Sequence, residues 1–227
     1  SPNGEPAALV ATSRLDAVEM IRMGEYNHNE YYRYLSAGYR LPLVGGTDKM
    51  SSDVPVGLYR TYARLGDREF TYENWCRAVA EGKTVLSGGP IIHLSVDGHE
   101  VGDTLELEGP GTVEVEAWAE STLPIHTLEI VQAGRVVASS ESGTGTRRLT
   151  LKEKIKVEGH TWLAARCGGP GYYGTEYLDV WLRGMIAHTS PIYVACGGEW
   201  SMFDEGTAGY MMTLMAAGLD YIREGSA

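Results

Sequence analysis

The chain has 227 residues, 43% hydrophobic and 22% charged, with a formal net charge of -11. That length suits one large domain or two small ones with a substantial core, and the acidity argues against a nucleic-acid or anionic-membrane surface. No apolar run approaches the ~20 residues of a membrane span, and the polar opening Ser1 to Pro6 carries no signal-peptide pattern.

Residues 1–88 read as alternating α and β. Leu15 to Ile21 is ambiguous between a helical turn and a strand. Asn27 can cap a helix from His28 to Ser36, ended by Gly38. The apolar run Leu41-Pro42-Leu43-Val44 then leads into Gly45-Gly46-Thr47-Asp48. Strand, helix and strand at this spacing predict a parallel pair with a right-handed crossover. A loop follows over 51–55, then a strand over Gly57 to Leu65. Thr71 is placed to cap a helix from Tyr72 to Glu81, which Gly82 ends.

From Thr84 to Cys196 the texture changes to short alternating runs punctuated by Gly, Pro and Asp. Ile91 to Val96, Val113 to Trp118, a hairpin of Leu128–Val131 with Val136–Ala138 about Gly134, Arg147 to Val157, Trp162 to Arg166 and Pro191 to Ala195 read as strands. About seven strands of this kind predict an immunoglobulin-like β-sandwich without the inter-sheet cystine of antibody domains. Cys76, Cys167 and Cys196 are too few and scattered for a disulfide framework or a zinc knuckle. If their strands are antiparallel neighbours, Cys167 and Cys196 lie at opposite ends of the sheet, so three free thiols are expected.

The irregular stretch from Gly168 to Arg183 holds Tyr172, Tyr173, Tyr177 and Trp181, an aromatic loop able to bind carbohydrate or protein, though anchoring aromatics are commoner. Its Gly168-Gly169-Pro170-Gly171 lacks the Lys-Ser/Thr of a phosphate loop. Thr207 to Ile222 is a helix with Met211, Leu214, Met215, Leu219 and Ile222 on one face, a stripe that should dock on a neighbour. There are no internal repeats and no low-complexity tracts.

Four segments in this order, Gly45–Asp48, Val56–Tyr62, Gly82–Pro90 and Ala187–Val194, resemble the C-terminal part of PHP-type metallohydrolases, in the branch that includes bacterial carbaryl hydrolase. The resemblance spans nearly the whole chain. It implies a distorted α/β barrel followed by a β-sandwich, and metal-dependent hydrolysis of amide, carbamate, ester or phosphoester bonds. It makes Asp48 a candidate metal ligand in the intact parent. The family's N-terminal His-x-His pair has no counterpart here: His28, His93, His99, His126, His160 and His188 are isolated. Met50 stands where the family has a histidine, and its thioether suits hard or borderline divalent ions poorly.

Glu19, at the end of the preceding strand, could contact substrate or metal, against the commoner reading of a solvated glutamate. His188-Thr189-Ser190 invites a nucleophile role, but Ser-Pro before an edge strand is ordinary turn chemistry.

The expectation is therefore an α+β chain. It comprises a partial (incomplete) α/β barrel remnant over 1–88, an Ig-like antiparallel sandwich over 89–197, and a C-terminal helix within 198–227. It reads as the C-terminal fragment of a hydrolase, inactive alone, with a divalent metal in the intact parent and none expected in this chain. The alternative is a non-catalytic sandwich that binds carbohydrate or protein. Its expected partner is the missing N-terminal barrel portion or a second copy in a homodimer, not nucleic acid or membrane. The bacterial resemblance leaves the compartment open between cytoplasm, periplasm and exterior.

Overall fold

The structure is a computed structural model that describes residues 4–22, 25–26, 28–169 and 184–225. Its elements are α1 (Gly4–Ala11), β1 (Val18–Glu19), β2 (Ile21–Arg22), β3 (Glu25–Tyr26), α2 (His28–Ser36), β4 (Leu43–Val44), β5 (Arg60–Ala63) and α3 (Tyr72–Ala80). There follow β6 (Thr84–Ser87), β7 (Ile91–Val96), β8 (His99–Glu100), β9 (Thr104–Leu107), β10 (Gly111–Gln132), β11 (Arg135–Val157), β12 (Thr161–Gly168), β13 (Ile186–Thr189), β14 (Ile192–Cys196) and α4 (Glu205–Gly225).

One long hairpin organises the sandwich. β10 and β11 pair antiparallel from Gly111 opposite Val157 to Gln132 opposite Arg135. Ala133 and Gly134 both take positive φ, 45° and 84°. A two-residue turn of that kind matches the right-handed twist of the strands it joins. On its other edge β10 pairs with β7 in its first half and with β12 in its second. Register shifts between Glu120 and Ile125 and between Ile125 and Thr127 mark where it bends. The hairpin thus serves both faces, and the sheet curls into a largely antiparallel sandwich.

β12 also pairs antiparallel with β13 and with β14, two runs separated at Ser190-Pro191. Beyond that break the chain changes neighbours: β13 pairs with β6, and β14 runs parallel to β9. Proline has no N–H to give a ladder, which suits it to such a break. The sequence predicts a single strand from Pro191; β13 before it is additional.

Side chains of β12 alternate between two interiors. Leu163, Ala165 and Cys167 enter the sandwich core, while Trp162 and Ala164 face a second core on the sheet's other side. β14 does the same, with Ile192 and Val194 inward and Tyr193 and Ala195 outward. Strands covered on both faces read as unbroken apolar runs, which explains Trp162-Leu163-Ala164-Ala165. The second core is closed by α1, α2, β4 and α4, through Val10, Tyr31, Tyr32, Leu35, Leu43 and Met211.

In this covering lobe β1 and β4 are parallel, Val18 opposite Leu43 and Glu19 opposite Val44, with α2 in the connection between them. That is the strand–helix–strand unit the spacing predicts, with the short β2–β3 hairpin added. The strand expected over 57–65 shortens to β5. It pairs with β6, so both belong to the large sheet rather than to the β1/β4 pair. Thr71 caps α3 as expected, its hydroxyl accepting from the Asn74 N–H at 3.2 Å.

Asp204 starts α4 two residues before the predicted helix, accepting from the Thr207 N–H at 2.8 Å. The apolar stripe of α4 docks only in part: Met211 is buried, whereas Leu219 and Ile222 are 53% and 62% exposed. The polar opening gave no sign of α1, which packs on α4 where a Cβ on Gly4 would lie 2.5 Å from the Leu214 carbonyl oxygen. Glycine is required there by contact. No helix among the described residues is long and apolar enough to cross a membrane.

Candidate functional site

The carboxyl ends of β1 and β4 carry the acidic residues that the sequence singles out. The Gly45–Asp48 turn is held by a pair of threonine hydroxyls that replace ladder residues. Thr61 Oγ1 accepts from the Gly45 N–H and donates to the Gly45 carbonyl, both at 2.9 Å. Thr47 Oγ1 donates to the Tyr59 carbonyl at 3.0 Å and accepts the Tyr59 N–H at 3.3 Å. A Cβ on Gly45 would meet Leu86 Cγ at 2.7 Å, so the turn presses directly on β6. Lys49 Nζ donates to the Ser51 and Val54 carbonyls and closes the following loop.

Glu19 reaches this turn from β1, its Oε1 accepting the Gly46 N–H at 2.9 Å. Asp48, two residues on, is exposed and sits at φ 50°, a conformation aspartate tolerates better than most residues. Its carboxylate has no hydrogen bond or ion pair among the described residues. Met50 is 79% exposed.

Behind the turn the second core contains a set of buried polar groups. Leu43 N–H donates to Ser190 Oγ at 2.9 Å, and Thr84 Oγ1 donates to the Leu43 carbonyl at 2.7 Å. The two hydroxyls are 2.7 Å apart. Tyr31 donates to the Leu41 carbonyl at 2.8 Å. His188 is fully buried; its Nδ1 lies 2.7 Å from the Thr189 carbonyl and its Nε2 2.7 Å from the Tyr32 hydroxyl. Only a protonated Nδ1 can donate to a carbonyl, so Nε2 accepts from Tyr32. Burial pushes the His188 pKa down to about 3, keeping the ring neutral.

These bonds answer the nucleophile question. Ser190 is engaged with Leu43 and Thr84, and His188 with Tyr32 and Thr189. They tie the lobe to the sheet instead of forming a Ser–His pair. The other sensitive groups are likewise structural. Burial pushes the Cys167 thiol up to about 12, and His93 stacks on Trp118 with ring centres 5.5 Å apart. All three cysteines are free. Cys167 lies at the far end of β12 from the Thr161–Leu163 stretch that pairs with β14.

A second carboxylate, Glu30, accepts from Tyr34 at 2.9 Å and Tyr210 at 3.1 Å. Glu19 and Glu30 line the same groove of about 300 Å³. A catalytic metal takes about three protein ligands. No group of three His, Cys, Asp or Glu side chains among the described residues could hold an ion. The aromatic loop, Tyr172, Tyr173, Tyr177 and Trp181, lies outside the described residues.

Sequence reasoning missed the roles of Thr61, Thr84 and Tyr32. The one signal available was hydroxyl residues within apolar strand runs, such as Thr84 before Val85-Leu86, where an unpaired hydroxyl would be costly.

Comparison with known proteins finds no matching family model and no match among curated proteins. Among solved structures, the chain is similar to the fibronectin(III)-like modules of Clostridium thermocellum CbhA. The TM-score is 0.29 and the identity 14%, over 45% of this chain and 92% of that chain. A likeness at that TM-score carries no weight beside the sheet pairing, which by itself defines the sandwich.

Proposed function

We propose that this chain is the C-terminal part of a PHP-type hydrolase acting on an amide, carbamate, ester or phosphoester. In this reading β1, α2 and β4 are barrel elements, and the sandwich is their accessory domain. The observation that carries it is the parallel β1–α2–β4 unit, whose carboxyl ends bring Glu19 against the Gly46–Asp48 turn. Ligands in α/β barrels collect at that end of the strands. This chain's own contribution is a rigid turn, braced by Thr47 and Thr61, that presents the Asp48 carboxylate to solvent at a fixed height above the sheet. The metal that the resemblance implies needs ligands besides Asp48, which the resemblance assigns to the family's N-terminal barrel portion.

The test compares the 227 residues alone with the same residues extended by the upstream reading frame. Each is assayed on carbamate, ester, amide and phosphoester panels with Mn²⁺ or Zn²⁺ added. The short chain should be inactive and the extended one active, with Asp48→Ala removing that activity. An upstream frame lacking His-x-His, or an extended protein inert on every panel, sinks the proposal. Glycan capture by the short chain, lost on Tyr172→Ala or Tyr173→Ala, would favour the binding-module alternative instead.

A further inference from the structure

α4 is a helix of 21 residues that meets the rest of the chain along one side. Thr207 and Met211 are buried there, and a Cβ on Gly218 would lie 3.5 Å from the Gly4 Cα of α1. A different side carries Glu205, Gly209, Met212, Ala216, Leu219 and Arg223, all of them exposed. Their spacing is four, three, four, three and four residues, the 3.5-residue period of a seam between two helices. This is not the stripe read from the sequence, with which it shares only Leu219.

Two members of the seam lack a use inside the chain. Glycine in a helix interior costs stability relative to alanine, and a Cβ on Gly209 would meet nothing within 4 Å. The one ion pair of Arg223 among the described residues is an exposed contact with Asp220 at 4.0 Å. Both find partners when the seam is laid antiparallel on itself. Glu205 then faces Arg223, Gly209 faces Leu219, and Met212 faces Ala216. All three pairs are centred on position 214, so a single two-fold axis makes each of them twice. Large side chains meet small ones, and the acid of the first turn meets the base of the last. Laid parallel, the same seam would set Glu205 against Glu205 and Arg223 against Arg223. The antiparallel pair also brings the positive end of each helix dipole beside the negative end of the other.

We propose that this face of α4 joins two copies of the chain as an antiparallel helix pair, with Leu219 seated over the partner's Gly209. The occupant is a second copy because the charges and the sizes along the seam complement the chain's own residues. The inference is independent of the function proposed above. Six residues a side is few beside the roughly 20–30 of a standard interface, so the pair is expected to form at about micromolar concentrations or above.

Sedimentation equilibrium of the 227-residue chain from about 1 μM to about 1 mM tests this. The unaltered chain should show a monomer–dimer equilibrium. Met212→Glu should weaken it roughly tenfold or more. Gly209→Gln should weaken it too while raising the thermal unfolding midpoint, because the helix gains propensity as the hole for Leu219 is filled. Glu205→Arg or Arg223→Glu alone should weaken association several-fold, and the two together should restore it. A chain that stays monomeric throughout overturns the inference and leaves the seam to some other segment or partner. A dimer indifferent to Met212→Glu overturns it as well. A dimer that Met212→Glu breaks, but that the paired charge reversal does not restore, overturns the antiparallel register.

Discussion

The two cores of this molecule are built on opposite principles. The sandwich interior is aliphatic, packed from alternate positions of β7, β10, β11, β12 and β14, with Ile130, Leu163, Ile192 and Val194 fully buried. The core beneath the covering lobe is aromatic and hydrogen-bonded, with Tyr31, Tyr32, Trp162, Tyr193 and Trp200 around buried hydroxyls and one neutral histidine. The first needs only apolar area, at about 25 cal/mol per Å² buried. The second needs direction as well, because every buried N–H, carbonyl and hydroxyl must find its partner. An aliphatic core therefore tolerates volume-conserving exchange, whereas the lobe's seat on the sheet is fixed by particular atoms.

Adjacent residues of β12 break this comparison most directly. Leu163→Ala and Trp162→Ala should each cost about 2–5 kcal/mol of stability in chemical denaturation. They should differ in what opens. Loss of Leu163 should raise exchange throughout the sandwich. Loss of Trp162 should expose α2 and β4 first while β10 and β11 stay protected. Uniform opening in both variants would mean the two cores form one cooperative unit.

The polar core should also respond to acid. The His188 pKa is about 3 in the folded protein against 6.5 when unperturbed. Between those values the unfolded chain holds the extra proton. The contribution of the neutral ring is therefore complete above pH 6.5 and falls as pH drops toward 3, at up to roughly 1.4 kcal/mol per pH unit. Urea unfolding from pH 7 to pH 5 should show this slope, and His188→Gln should flatten it.

A smaller effect is expected from the hydroxyl seam. Ser190→Ala leaves the Leu43 N–H buried without its acceptor and should cost about 1–3 kcal/mol. Its double-mutant cycle with Thr84→Val should be non-additive, since the two hydroxyls touch. Smallest is Thr71→Ala, which removes the cap of α3 outside both cores. A loss of about 1 kcal/mol in thermal unfolding sets the scale for a purely local defect.

Most of the sandwich was legible in the sequence, because period-two alternation and the Gly134 turn report directly on strands and their hairpin. The strand–helix–strand order around α2 was legible too, since Gly38 and the run into Gly45 punctuate it, while the Asn27 cap lies outside the described residues. α1 was not. Its boundaries depend on a glycine contact with α4, and the signal for that lies more than 200 residues away along the chain. The candidate site was half legible: Asp48 and Glu19 stood out as acids after apolar runs, but their relation required the Gly46 N–H to lie between them.

The sequence by itself determined the local periods, the turns and the caps, because each depends on residues within a few positions of one another. Tertiary structure alone decided that Ser190, Thr84 and Thr61 would seal the edge of β4 that faces away from β1. Those hydroxyls come from separate strands, and only folding brings them to the same backbone.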